Sequence, residues 1–160
     1  MKYAGLNKND FAAGVGVCVT FFAQGCPHRC RGCHNPETWD YNGGLDFTDR
    51  VLEEILDAID ANGIQRNFCL MGGEPLCPHN SFLSYLLVST IRKIYPDIKI
   101  YIWSGYTYEE LLASDFPQIQ KTLDLADVLI DGPYLEAERD VTLSMRGSRN
   151  QRIIDLTKVK

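Results

Sequence analysis

The sequence holds no apolar run long enough to cross a bilayer, which excludes a membrane-spanning helix as its organising feature. It has no Pro- or Ser-rich linker, no low-complexity tract and no internal repeat, so nothing divides the 160 residues into separate units. Basic residues are in the minority: 16 Lys and Arg against 21 Asp and Glu leave a net charge of -5, the wrong sign for general nucleic-acid binding. The first residues, Met1 to Asn7, show neither the apolar stretch of a secretory signal nor the Arg-rich character of a transit peptide. A single domain over residues 1–160, working in the cytoplasm without a membrane or nucleic-acid partner, is the expectation.

What is present is an ordinary globular composition, 45% hydrophobic and 23% charged, carrying a β-α rhythm. Val15 to Phe22 reads as a buried first strand. Val51, Leu52, Ile55, Leu56 and Ile59 share a helical face behind Thr48 as N-cap, with Asn62-Gly63 as the stop. Phe68 to Met71 is a second strand, closed by Gly72-Gly73, and Phe82 to Ile94 a second helix, ended by Pro96. Ile98, Ile100 and Ile102 alternate along a third strand, Thr107 to Glu110 forms a capping box, and Val128 to Ile130 is a fourth strand. The fold class this predicts is α/β, a mostly parallel sheet with alternating helices and function at the carboxyl ends of the strands.

Six cysteines are poor candidates for disulfides in a reducing compartment and better ones for metal ligation where they cluster. Cys26, Cys30 and Cys33 do cluster, at a C-x3-C-x2-C spacing that lets one loop wrap one centre. Soft thiolates select iron-sulfur clusters or zinc. A cubane of four irons held by three thiolates keeps one iron open. The amino and carboxylate groups of S-adenosylmethionine can chelate that iron, and one electron then breaks a carbon-sulfur bond to give a 5'-deoxyadenosyl radical. The competing reading is a zinc knot completed by His28 or His34, although the second C-x2-C hook usual in such knots is absent. Cys18, Cys69 and Cys77 stand singly and read as core residues.

The remaining candidates follow the predicted strands. Gly72-Gly73-Glu74-Pro75 offers close backbone approach and a carboxylate for an ammonium group, or simply a β-to-α turn. Ser104-Gly105-Tyr106 and Asp131-Gly132-Pro133-Tyr134 add hydroxyls and a carboxylate that suit a ribose or a methionine carboxylate, with plain turn chemistry as the equal alternative. Arg146 to Arg152 puts three guanidinium groups into a short segment, for carboxylate recognition or as a solvated stretch.

Taken together, Asp10 to Gly16, Cys26 to Trp39, Gly72 to Pro75, Trp103 to Tyr106, Asp131 to Pro133 and Arg146 to Gln151 resemble the radical S-adenosylmethionine superfamily. The closer resemblance is to the activating proteins of anaerobic ribonucleoside-triphosphate reductases. It implies a short partial (β/α) barrel with Cys26, Cys30 and Cys33 holding a [4Fe-4S] cluster. It also implies that Gly32, Cys33, His34, Gly72, Gly73 and Glu74 contact S-adenosylmethionine, and Ser104 and Asp131, by their place after the third and fourth strands, are the candidates to complete the pocket. The implied partners are a glycyl-radical reductase and a reduced flavodoxin as electron donor. One departure is Gly32, which stands before the third cysteine where many superfamily members carry an aromatic residue. Two rival readings remain at this point: a metabolite-directed enzyme resembling 7-carboxy-7-deazaguanine synthase, and a non-catalytic zinc module.

Overall fold

The computed structural model describes residues 1–160. Its strands are β1 (Lys2–Asp10), β2 (Cys18–Ala23), β3 (Leu45–Asp46), β4 (Asn67–Gly72), β5 (Ile100–Trp103), β6 (Val128–Asp131) and β7 (Arg152–Asp155). Its helices are α1 (Asp49–Ile59), α2 (Ser81–Ile94), α3 (Tyr108–Leu112) and α4 (Pro117–Leu125). All seven strands belong to one open sheet in the order β3-β1-β2-β4-β5-β6-β7.

The α/β class stands, but the sheet is mixed rather than mostly parallel. The central ladders β2-β4, β4-β5 and β5-β6 are parallel, while β1-β2, β1-β3 and β6-β7 are antiparallel. Connection chemistry accounts for the difference. Parallel neighbours need a long crossover, and each central pair is joined through α1, α2 or the α3-α4 pair. The short link 11–17 between β1 and β2 allows only reversal, and the segment between β6 and β7 contains no α-helix.

Both faces of the central strands are covered, as parallel sheets require. On one face Val19, Phe21, Leu70, Ile100, Ile102 and Leu129 pack against Ile55 and Ile59 of α1, Leu87 and Ile91 of α2, and Leu111 and Leu123 of α3 and α4. On the other, Cys18, Cys69, Tyr101 and Ile130 form a smaller cluster with Ala13, flanked by Met71, Trp103 and Met145. Tyr101 is therefore as buried as the isoleucines beside it, and β5 is apolar on both sides rather than on one.

Local signals were followed closely, with instructive exceptions. Thr107 accepts from the Glu110 amide and the Glu110 carboxylate accepts from the Thr107 amide, so the capping box forms as its residues dictate. Thr48 occupies the N-cap of α1 in extended conformation, yet its side chain makes no capping hydrogen bond. The first predicted strand starts later than its apolar run, because Val15 is solvent-exposed and only Cys18 onward joins the sheet. Cys18, Cys69 and Cys77 are buried, as expected of lone cysteines. No helix is long and apolar enough to cross a membrane.

Leu70 sits at the middle of β4 with no exposed surface, among strands and helices that cannot collapse freely into a void. Leu70→Ala is expected to lower unfolding free energy by about 2–5 kcal/mol. Urea denaturation followed by circular dichroism checks this, and an unchanged midpoint would mean that this core packing is wrong.

Candidate functional site

The carboxyl ends of β2, β4, β5 and β6 converge on one cleft. Its walls include Cys26, Cys30, Cys33, His28, His34 and Trp39 from the loop after β2, Gly72, Gly73 and Glu74 after β4, Ser104 and Gly105 after β5, and Gly132 and Tyr134 after β6. This is where an open α/β sheet gathers loop chemistry. The C-x3-C-x2-C segment is shaped by backbone ties at its base. Gly25 N donates to Thr38 O at 2.7 Å, Cys26 N to Trp39 O at 3.3 Å, and the buried Gln24 side chain donates to the carbonyls of Glu37 and Asp40. A short 3-10 turn, Pro36–Thr38, returns the chain towards the sheet.

Amide groups surround the three sulfurs. The Asn35 amide donates to Cys33 Sγ at 3.4 Å, the amides of His28 and Arg29 face Cys26, and that of Tyr134 faces Cys30. Burial pushes the Cys26 thiol up to about 11 and raises that of Cys30 as well. A metal group binding here would therefore displace protons as it forms sulfur bonds. A structural zinc site needs four N/S ligands, and of the two histidines that could complete one, His28 is committed to Glu74 at 2.8 Å and His34 is exposed. An anionic multi-iron group, bonded at separate corners and accepting N–H donors at its sulfurs, fits the donor set better.

Glu74 is the most constrained residue of the cleft. Its carboxylate has no exposed surface and accepts from the Leu76 amide and Ser104 Oγ at 2.9 Å each and from the Gly105 amide at 2.7 Å, while His28 Nε2 lies 2.8 Å from Oε2. Those contacts fill the acceptor capacity of a carboxylate. The Gly73 and Glu74 amides are also engaged, donating to Ala23 O and Gly25 O at 2.8 Å. Glycine at 73 has a packing reason, since an added Cβ would come within 2.4 Å of Gly25 O. Gly105 has another, because a side chain there would strike the His28 ring.

The sequence expectations sort accordingly. Cys26, Cys30, Cys33, His34, Gly72, Gly73, Glu74 and Ser104 all border the cleft, whereas Gly32 and Asp131 do not. Gly32 turns outward, where a Cβ would meet the carboxylate of Glu136. Asp131 is buried, and its oxygens accept from Arg152 and from the Tyr108 amide at the start of α3. Arg152 also pairs with Glu109, which gives one of the clustered arginines a role in fastening β7 to α3.

Two residues take roles that sequence reasoning did not assign. Asn80 is buried with its amide nitrogen 2.9–3.2 Å from the carbonyls of Gln24, Gly25 and Glu74, knitting the cysteine loop to the glycine turn. His28 bridges to Glu74, and its ring meets Tyr106 edge-on at 4.4 Å. Asn80 carried a faint signal as the residue before a helix, but its partners are distant in sequence.

Comparison with known proteins agrees with this geometry. The sequence model of the 4Fe-4S single cluster domain matches residues 12–154. The anaerobic ribonucleoside-triphosphate reductase-activating protein of Pasteurella multocida is 35% identical over 158 residues, 98% of this chain and 99% of that protein. The protein of the same name from Escherichia coli strain K12 is 36% identical over 152 residues, covering 94% of this chain and 96% of the relative. That of Enterobacteria phage T4 is 36% identical over 153 residues, covering 96% and 93% respectively. A match over most of the chain, together with relatives aligned nearly end to end, places this protein in the 4Fe-4S single cluster domain family and among the anaerobic ribonucleoside-triphosphate reductase-activating proteins.

Proposed function

We propose that this chain, acting as one domain over residues 1–160, is a radical S-adenosylmethionine activase that generates a glycyl radical on an anaerobic ribonucleoside-triphosphate reductase. The observation that carries the proposal is the gathering of Cys26, Cys30 and Cys33 along one cleft at the carboxyl edge of the sheet, in a chain of the 4Fe-4S family. In this reading those three thiolates would hold a [4Fe-4S] cluster and leave one iron available to S-adenosylmethionine. With one electron delivered through the cluster from an external donor, the group would supply reductive cleavage of a carbon-sulfur bond of S-adenosylmethionine to methionine and a 5'-deoxyadenosyl radical, which would leave as 5'-deoxyadenosine after taking a hydrogen atom from a glycine of the reductase.

The chain's own part is positional. The loop 24–41 presents the thiolates, and the turn at Gly72 to Glu74 with Ser104 shapes the wall where the methionine and ribose would lie. Because the Glu74 carboxylate is already saturated, its role in this reading is to hold the wall through His28, Ser104 and Gly105. An ammonium group would meet the carbonyl side of the glycine turn instead. His34 is on the cleft and exposed, free to meet ligand or partner.

The sheet never closes on itself, since β3 and β7 lie at opposite ends of the strand order. We read it as a partial (β/α) barrel of the radical S-adenosylmethionine type, open on the side that a large protein substrate would approach. A metabolite enzyme has more need of enclosure to exclude water. A reduced flavodoxin as electron donor and a cytoplasmic setting complete the proposal, and six unpaired cysteines accord with a reducing compartment.

Two outcomes test it. Anaerobically reconstituted wild type with a reductant should release 5'-deoxyadenosine and raise a glycyl-radical electron paramagnetic resonance signal on the reductase, while Cys30→Ala should fall to background in both. Undiminished product from that variant would remove Cys30 from the ligand set, and cleavage without any radical on a reductase would refute the activase assignment. Separately, Glu74→Gln turns an acceptor into a donor among Gly105, Leu76, Ser104 and His28 and should destabilise the apoprotein by about 1–3 kcal/mol. A melting temperature equal to wild type would show that the carboxylate does not hold the wall.

A further inference from the structure

A second groove opens beside the cysteine cleft. It holds about 610 Å³ against about 230 Å³ for the cleft, and His34, Met71, Trp103, Met145 and Gly147 belong to the walls of both. That size falls in the range of concave sites that take ligands, roughly 300–1,000 Å³. One wall is the turn at the end of β1, Asp10 to Ala13, and the other is the segment 139–147. The second wall is braced along its length. Arg139 bridges Ser148 in antiparallel fashion, the Asp140 amide donates to Gly147 O at 3.1 Å, and Met145 O accepts from Trp103 Nε1 at 2.8 Å.

The surface between these walls is apolar, formed by Ala13, Met71, Trp103 and Met145. Val141 on one wall and Phe11, next to Ala12 on the other, are each 79% exposed. Large apolar side chains left in water on both sides of a groove mark a surface that binding covers. The charged groups differ in what they have left to bond. Asp10 accepts from Thr20 Oγ1 at 2.7 Å and from the amides of Ala12 and Ala13, and Asp140 accepts from the amide and hydroxyl of Thr142. Arg139 has no carboxylate partner, and Arg146 makes only long contacts, 3.4 Å to Ser144 O and 3.3 Å to Gln151 O. Guanidinium donors without acceptors, in a chain of net charge -5, are the complement of a carboxylate brought by something else.

We propose that this groove receives the glycine-bearing segment of the reductase as an extended peptide, with an apolar side chain against Met71, Trp103 and Met145 and a carboxylate near the glycine paired with Arg139 and Arg146. The inference rests on the activase reading above and adds where and by what chemistry the protein substrate is held. Hydrogen-atom transfer needs the reacting atoms roughly 3–3.5 Å apart, so the glycine itself must enter the cleft. A large protein can do that only by sending in a segment. The groove gives that segment a path, because its inner wall is also the wall of the thiol cleft.

Two variants test it. Arg139 is exposed and makes no side-chain bond, so Arg139→Glu should fold and should release 5'-deoxyadenosine without reductase at the wild-type rate. It should nevertheless need about tenfold more reductase for half-maximal glycyl radical. An unchanged reductase requirement overturns the proposal, and so does loss of cleavage in the absence of reductase, which would make the groove a cofactor site. A binding readout needs no cluster. Apoprotein carrying Val141→benzoylphenylalanine, irradiated with reductase and digested, should cross-link to the peptide that contains the glycine, while the same replacement at the exposed Phe82 of α2 should not. Cross-links from position 141 only to other parts of the reductase, or to the electron donor, refute the assignment. If wild type raised no glycyl radical on any reductase, the activase reading would fall and take this inference with it, whereas a misplaced cross-link from an active protein refutes the groove alone.

Discussion

A carboxylate withdrawn from water needs all of its donors inside the protein, and Glu74 draws them from three parts of the chain. His28 comes from the cysteine loop, Ser104 and Gly105 from the end of β5, and Leu76 from the turn that follows Glu74 itself. Losing any one would leave a buried charge short of a partner, which is far more costly than losing a surface contact. The arrangement therefore fixes the relative positions of loops that the sheet alone only brings near one another. Asn80 repeats the logic with opposite polarity, its amide nitrogen facing carbonyls of Gln24, Gly25 and Glu74. Between them, one acceptor and one donor set the shape of the cleft.

The sheet explains why those loops meet at all. Crossovers through α1, α2 and the α3-α4 pair bring the carboxyl ends of the parallel strands β2, β4, β5 and β6 to a common edge. The larger apolar cluster lies between the sheet and the helices, away from the cysteine loop. Stability and chemistry are thus drawn from different regions of the molecule. The helix-covered face supplies the hydrophobic burial, and the carboxyl edge carries polar groups that burial alone would not favour.

Much of this was legible in the residues. The central strands and the first two helices follow from apolar period and from Gly, Pro and Asn punctuation, and the thiol spacing announced a metal loop. The strands added at the margins were not legible for a physical reason. Lys2–Asp10 is rich in Lys, Asn and Asp, which have low strand preference, and it is held by antiparallel pairing with β2 and β3. Arg152–Asp155 is short and half-exposed, and its anchoring pairs, Arg152 with Asp131 and Glu109, join residues far apart in sequence. The same distance hid the saturation of Glu74 and the diversion of Asp131 to Arg152, since a carboxylate after a strand looks alike whether it faces a ligand or a neighbour. Helix α4 also escaped notice, having Pro117 at its start and a weakly apolar face.

The loop 24–41 is tied to the sheet by main-chain bonds, by His28 to Glu74 and by Asn80, and none of its three thiols belongs to either apolar cluster. Oxygen damage that strips an iron-sulfur group would accordingly fall outside the apolar packing that keeps the chain folded. On that layout a spent molecule could be refitted with fresh inorganic parts without first being unfolded and rebuilt. For an oxygen-sensitive catalyst, repairability is then a property of where the loop is attached.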